Sequence, residues 1–104
     1  MVFDVSKVNG IGGYTEEGAT LGNGDDAEKV TVFKNGEKAF LVVRKNTLEV
    51  RTDDKLRDLL REKYESVMES RYFGRGGIEI VDSGQLSFDE ICDLVRLSYR
   101  MSGE

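Results

Sequence analysis

Apolar residues gather in three short runs between residues 30 and 51, and each run has the pattern of a β-strand. The run at 39–43 reads AFLVV and is continuously apolar, which is typical of a strand in the middle of a sheet. The run at 30–33 is rich in β-branched and aromatic residues. The run at 47–51 alternates, which places Glu49 on the face opposite Leu48 and Val50. The three runs predict an antiparallel meander.

Turn motifs separate these runs and mark a second pair of strands. Asn35-Gly36 suits a type I′ turn, in which both central residues have positive φ, and Lys45-Asn46 is the next turn. Residues 67–73 are ambiguous, although a strand fits them. The glycines in 74–77 predict a turn, and the apolar residues in 78–81 predict a further strand. A hairpin therefore follows the meander.

Two segments show helical spacing instead. The first predicted helix is capped by Thr52 or Asp53 and ends near Glu65. The second begins with the capping box Ser87-Phe88-Asp89-Glu90 and stops at Gly103. The apolar positions are Leu56, Leu59, Leu60 and Val67 for the first helix, and Phe88, Ile91, Cys92, Val95 and Tyr99 for the second. The element order predicts an α+β fold: an antiparallel β-meander plus hairpin, with two helices packed on one face.

The first 28 residues differ in composition from the rest of one predicted domain, residues 1–104. Residues 1–9 are mildly apolar and suit a short strand, whereas residues 10–24 hold six of the twelve glycines and predict a poorly ordered loop. Residues 1–28 carry six acidic side chains and one lysine, while 29–104 carry fourteen of each sign. The net charge of −5 therefore lies in the glycine-rich segment 1–28. An acidic segment of this kind could mimic nucleic acid or occupy a basic groove.

The composition argues against catalysis. The chain has no His, so it lacks a base that titrates near neutrality, a Ser-His or Cys-His pair and a His-containing metal site. The single cysteine, Cys92, lies in an apolar stripe and is expected in the core. The G-x-G-x-x-A letters at 22–27 precede a β-prone run, so we interpret them as a loop. We predict a protein that is not an enzyme and has no cofactor or metal.

Location is predicted from two further features. A lone cysteine fits a reducing compartment, which favours the cytoplasm. No apolar run approaches the roughly 18 residues that a membrane span needs, so no membrane association is expected.

Three segments together resemble the YjbR/MmcQ family over about residues 30–101. Lys34–Phe40 is similar to that family's glycine-lysine hairpin, and Leu48–Asp53 leads into the first helix as it does there. Residues 86–99 end in Ser98-Tyr99, which is similar to the family's closing motif. The N-terminal domain of TfoX-type proteins shares part of this pattern.

The resemblance implies an α+β fold of the secretion-chaperone-like kind and a DNA-binding label that many members carry. Two features of this chain differ from the family pattern. A glycine-rich segment stands where the family usually begins with a helix, and the aromatic residue of the second hairpin is replaced near Ile78.

The candidate binding residues are Arg44, Lys45, Arg71, Tyr72 and Arg75. Arginine and aromatic side chains on a glycine-hinged hairpin could anchor a protein or contact nucleic acid by charge and stacking. The alternative is an ordinary hairpin whose aromatic residues belong to the core. We predict a small non-enzymatic binding or adaptor domain that acts on a protein partner or as a homodimer. The alternative function is nucleic-acid binding through the Arg71–Arg75 hairpin.

Overall fold

Six strands and two α-helices make up the fold in the computed structural model, which describes residues 3–103. The strands form one antiparallel sheet in the order β1-β2-β3-β4-β6-β5. The strands are β1 Thr15–Leu21, β2 Glu28–Asn35, β3 Lys38–Val43, β4 Thr47–Arg51, β5 Val67–Ser70 and β6 Gly74–Val81; the helices are α1 Asp54–Lys63 and α2 Phe88–Ser102. The predicted α+β class, with a meander, a hairpin and two helices, is confirmed.

Both helices cover the same face of the sheet. Helix α2 packs on β3 and β4, and α1 packs beside β5 and β6. Their apolar sides join one core with the alternate residues of the central strands, because a strand turns every second side chain to the same face. The fully or almost fully buried members of this core include Leu48, Val50, Ile78, Ile80, Ile91 and Val95. Each contributes about 1.5–3 kcal/mol through burial.

The opposite face of the sheet, here called the open face, carries neither of the two α-helices that residues 3–103 form. It holds a second apolar cluster that includes Val30, Val32 and Val42, with Leu21 and Phe73 packed against it. Phe73 comes from the turn of residues 71–73 between β5 and β6, here called the 71–73 turn. Within residues 3–103, the open face is covered by this turn and by long side chains and not by an α-helix.

A bulge in β3 determines how α2 packs on the sheet. Phe33 pairs with Leu41 and Lys34 pairs with Ala39, so Phe40 is an extra residue and turns to the helix side together with Leu41. The Ser98 hydroxyl bridges β3 and β4 at this bulge. It donates to the Phe40 carbonyl at 2.6 Å and accepts from the Arg51 N–H at 2.8 Å. The Ser98-Tyr99 motif thus closes a gap between β3 and β4.

The N-terminal segment contradicts two predictions. Residues 15–21 form strand β1 instead of a poorly ordered loop, because seven consecutive residues pair with β2. Residues 5–7 form a single 3-10 turn instead of a strand, and residues 1 and 2 of that predicted strand lie outside the described residues. The prediction of disorder relied on local glycine content, which does not show that the segment pairs with the strand that follows it.

The segment that precedes β1 crosses α2 and is held by it. The rings of Phe3 and Phe88 lie 5.7 Å apart, and the Arg96 guanidinium donates to the Asn9 carbonyl. The Tyr99 hydroxyl donates to the Gly13 carbonyl at 2.9 Å, as expected of a packed tyrosine with a bonded hydroxyl. Long-range contacts therefore order this segment as well.

Two of the three predicted turns differ from their predicted form. Asn35 is the last residue of β2, so the central turn residues are Gly36 and Glu37. Gly36 alone of these two has positive φ, at +67°, so the turn is not type I′. In the second hairpin the turn comes at 71–73, earlier than the predicted 74–77, and Gly77 lies in β6, where a Cβ would collide with the Val50 carbonyl and Phe73.

The helix boundaries follow the sequence signals closely. Asp53 caps α1 by accepting from the Leu56 N–H, and the predicted capping box of Ser87 and Glu90 opens α2. Helix α1 ends at Lys63, two residues before the predicted end. Leu59 was assigned to the apolar stripe but is 60% exposed, because α1 packs against the sheet through a narrower side.

Candidate binding surface

The structure brings together three of the five candidate residues. Arg44, directly after β3, and Arg71 and Tyr72 of the 71–73 turn line one cleft on the open face. Lys45 is exposed in the turn beside Arg44. Arg75 lies on β6 and lines a different cleft, formed largely by charged residues of α1. The Arg71–Arg75 hairpin is therefore not one continuous basic surface.

Glu49 is the centre of the polar part of the open face. Its side chain is fully buried on β4. It accepts hydrogen bonds from Arg44 Nε at 2.6 Å, Ser70 Oγ at 2.7 Å and the Tyr72 N–H at 2.8 Å. Ser70 Oγ accepts in turn from the Phe73 N–H at 2.8 Å. This one carboxylate therefore ties the 71–73 turn to the middle of the sheet.

Glu79 holds the first residue of the same turn. It is directly opposite Glu49 in the pairing of β4 with β6. Arg71 donates to both of its carboxylate oxygens, from Nε at 3.0 Å and from Nη2 at 2.7 Å, and Thr47 Oγ1 donates at 2.9 Å. Bidentate pairing of this kind fixes orientation as well as distance. The guanidinium of Arg71 is thereby oriented although its side chain is 60% exposed.

A third carboxylate completes the charge balance. Glu28 accepts from Arg44 Nη1 at 2.9 Å, and its Oε1 lies 3.9 Å from Arg71 Nη2. Glu28, Arg44, Glu49, Arg71 and Glu79 form what we call the carboxylate–arginine network. Three carboxylates against two guanidiniums leave no positive excess within it. Two glutamates directly opposite each other would repel, so the arginines are needed for the sheet to pair here.

The hydrogen bonds to Glu79 change its pKa. Burial acts to raise the pKa of Glu79, but the hydrogen bonds from Arg71 and Thr47 and the charges of Arg71 and Arg44 outweigh it. The pKa of Glu79 is therefore below its ordinary value in the folded protein, and the carboxylate is the form that the network stabilises.

Lower pH is expected to destabilise the protein in part through Glu79. Because its pKa is lower in the folded than in the unfolded chain, its stabilisation is complete above the ordinary value of about 4.3. The stabilisation is lost as pH falls through the lowered folded value. The urea midpoint of Glu79→Gln should therefore fall less between about pH 7 and about pH 3 than that of the wild type. The exposed Glu62→Gln is the matched control, and an equal fall in Glu79→Gln and wild type would contradict the assignment.

The cleft above the network has a volume of about 310 Å³. The connection between β1 and β2, the 71–73 turn and Arg44 all contribute to its lining. Tyr72 is 40% exposed, and Arg71 uses Nε and Nη2 for Glu79, which leaves Nη1 outside this bidentate pair. The lining residues are Leu21, Gly22, Asp26, Glu28, Arg44, Arg71 and Tyr72. The cleft offers polar groups of both signs beside an aromatic ring.

The surroundings of the cleft include one residue that the sequence did not suggest. Met68 on β5 is directly opposite Glu79, the carboxylate that Arg71 binds, and is 39% exposed. Glu49 and Glu79 were also missed as site residues. A signal was present, since each stands alone between apolar residues on a central strand, where an unpaired charge would be costly.

The residues in the range 3–103 hold no metal-binding group of acidic, His or Cys side chains, and their one cysteine is buried. No three His, Cys, Asp or Glu side chains in that range are grouped to hold a metal ion. Cys92 is buried on the helix side of the sheet, as predicted, and burial raises the pKa of its thiol. The groups at the candidate surface are charged side chains, hydrogen-bonding groups and one aromatic ring.

Comparison with known proteins places the chain in a family. No curated protein and no solved structure is similar enough to count as a match. No helix within the described residues is long and apolar enough to cross a membrane. Residues 14–101 match the model of the YjbR family. This range contains strands β1 to β6 and almost all of α2. The chain belongs to the YjbR family.

Proposed function

We propose that this chain is a non-enzymatic binding domain that contacts a protein partner through the open face. The observation that carries the proposal is the exposed Arg71-Tyr72 pair, which a buried network holds in place above a sheet face without helices. Fixing an exposed arginine and tyrosine in this way lowers the entropy that they lose when a partner binds.

The residues around the pair have the composition of an interface. Arg71, Tyr72 and Met68 are side-chain types that are enriched at protein–protein contacts, and tyrosine and arginine are frequent hot spots. The cleft beside them can admit one side chain of the partner. The network beneath supplies the rigidity that such anchors need.

Nucleic acid is the second candidate ligand. It is favoured by the adjacency of an exposed guanidinium and an exposed ring, the combination that contacts phosphate and stacks on a base. The two carboxylates that pair with Arg71, those of Glu28 and Glu79, favour a protein, because they oppose the phosphate contacts on which nucleic-acid affinity depends. We therefore rank a protein partner first.

The absence of His from the whole sequence supports a non-enzymatic role. The single cysteine supports a reducing compartment, and we propose the cytoplasm as its location.

Affinity capture with the intact chain as bait tests this function. A lysate of the source organism is divided, and one half is treated with nuclease before capture. We expect a discrete protein that survives nuclease treatment. A nuclease-sensitive result would support nucleic acid instead. Light scattering on the purified chain covers the remaining case, a homodimer. A monomer that captures nothing from either half would overturn the binding function.

A further inference from the structure

Strand β1 leaves one edge of the sheet open. It is the first strand in the sheet order, and no other strand within residues 3–103 pairs with its outer side. Its seven residues pair with β2 without a register shift. The other edge strand, β5, has four residues and a register shift at Ser70. The outer side of β1 is therefore a long and regular template for a further strand.

The usual protections of an edge strand are mostly missing from β1. Natural edges are shortened, bulged, interrupted by proline or guarded by inward-pointing charge and lysine. Strand β1 contains only Glu16 and Glu17 as charged residues, and Glu17 is paired with Lys34 at 3.2 Å. Gly18 in the middle of the strand has open space around it. An incoming backbone can therefore approach closely.

Charge selects the kind of strand that can pair there. Glu16 and Glu17 lie on β1, and Asp25 and Asp26 follow in the connection to β2. A second copy of this chain would bring the same four carboxylates to the contact, so self-pairing is disfavoured. A segment rich in lysine or arginine would be attracted instead. The complementary occupant is a basic one.

The cleft supplies a place for one basic side chain. Leu21 ends β1 and lines the cleft, so a strand added to β1 runs towards it. Asp26 lines the cleft and is exposed, and Tyr72 lines the same cleft and is 40% exposed. The aliphatic part of a lysine or arginine can pack on Leu21 and Tyr72 while its charge reaches Asp26.

We propose that β1 binds an extended, lysine- or arginine-rich segment of a partner protein as a seventh strand. One basic side chain of that segment enters the cleft. Main-chain hydrogen bonds supply affinity in this mode, and side-chain pockets supply specificity. The inference rests on the proposed binding function and adds the location and chemical class of the partner segment.

A synthetic peptide tests the proposal on the intact protein. The probe is an acetylated, amidated nonapeptide in which lysine and valine alternate. We expect it to shift the amide signals of residues 15–21 and to slow their hydrogen exchange. Its affinity should fall several-fold between about 50 mM and about 300 mM salt. Asp26→Asn should weaken binding several-fold, whereas the exposed Glu62→Gln on α1 should not.

Two control peptides separate strand pairing from attraction alone. A glutamate-valine nonapeptide has the same length and opposite charge and should not bind. A lysine-valine peptide that is N-methylated at every residue keeps its charge but has no main-chain N–H on either edge, so it cannot form the ladder and its binding should be lost. Equal binding by the methylated peptide, shifts outside β1 and the cleft, or no binding at about 1 mM would overturn the proposal. A partner captured from lysate would in that case still support the binding function by itself.

Discussion

Replacing Glu49 by alanine is expected to lower the free energy of unfolding by about 3–5 kcal/mol, because the buried guanidinium of Arg44 loses its closest carboxylate. The Arg44 side chain is only 4% exposed, so water cannot replace Glu49 fully. Ser70 Oγ and the Tyr72 N–H lose their acceptor in the same variant. The 71–73 turn should therefore loosen as well as the sheet.

Urea denaturation measures this loss, with two comparison variants. Glu49→Gln keeps an oxygen acceptor but removes the charge. Its free energy of unfolding should therefore lie between those of the wild type and Glu49→Ala. Glu62→Ala changes an exposed glutamate on α1 and should alter stability by less than about 0.5 kcal/mol. A loss below about 1 kcal/mol for Glu49→Ala would show that the network does not bear on stability.

Ser98→Ala is expected to lower the free energy of unfolding by about 2–4 kcal/mol, because one hydroxyl forms hydrogen bonds with two backbone groups at the β3 bulge. Ser98 is completely buried, and so is Phe40, whose carbonyl would lose its partner. The Arg51 N–H would lose its acceptor as well. Only a small side chain with a hydroxyl can fill this position between the two strands.

The same helix offers the matched control for Ser98. Ser102 is also buried, but its hydroxyl donates only to the Tyr99 carbonyl one turn earlier in α2. Ser102→Ala should therefore cost less than about 1 kcal/mol. Hydrogen exchange at the Arg51 amide should accelerate in Ser98→Ala and remain unchanged in Ser102→Ala. Equal losses for the two variants would contradict the bridging role.

Local patterns in the sequence were sufficient for most of the fold. The capping box at Ser87 and the apolar stripe with Cys92 predicted α2 because helix signals act within a few residues. Alternation at 47–51 likewise predicted β4. These features need no knowledge of distant parts of the chain.

Features that depend on distant partners could not be predicted. The bulge at Phe40 depends on Ser98, which lies 58 residues later. Strand β1 was hidden by its glycine-rich surroundings, because only its pairing with β2 orders it. Alternation placed Glu49 opposite Leu48 and Val50, but it could not show that Arg44, Ser70 and Tyr72 would bury it.

The candidate site was predicted only in part, because the exposure of a charged residue also depends on distant partners. Arg71 and Tyr72 stood out by residue type, and both are exposed on the open face. Arg44 was also chosen as an exposed cation, yet it is buried against Glu49 and Glu28. Residue type identified the charged positions, while the pairing of strands determined which charges face solvent.

Capture with paired double variants tests whether the partner contacts the open face. One bait carries Arg71→Ala with Tyr72→Ala. The other carries Leu59→Ala with Arg61→Ala, which removes a similar exposed pair from α1. We predict that the first bait loses the captured partner and that the second retains it at the wild-type level. Retention of the partner by the first bait and its loss by the second would contradict contact through the open face.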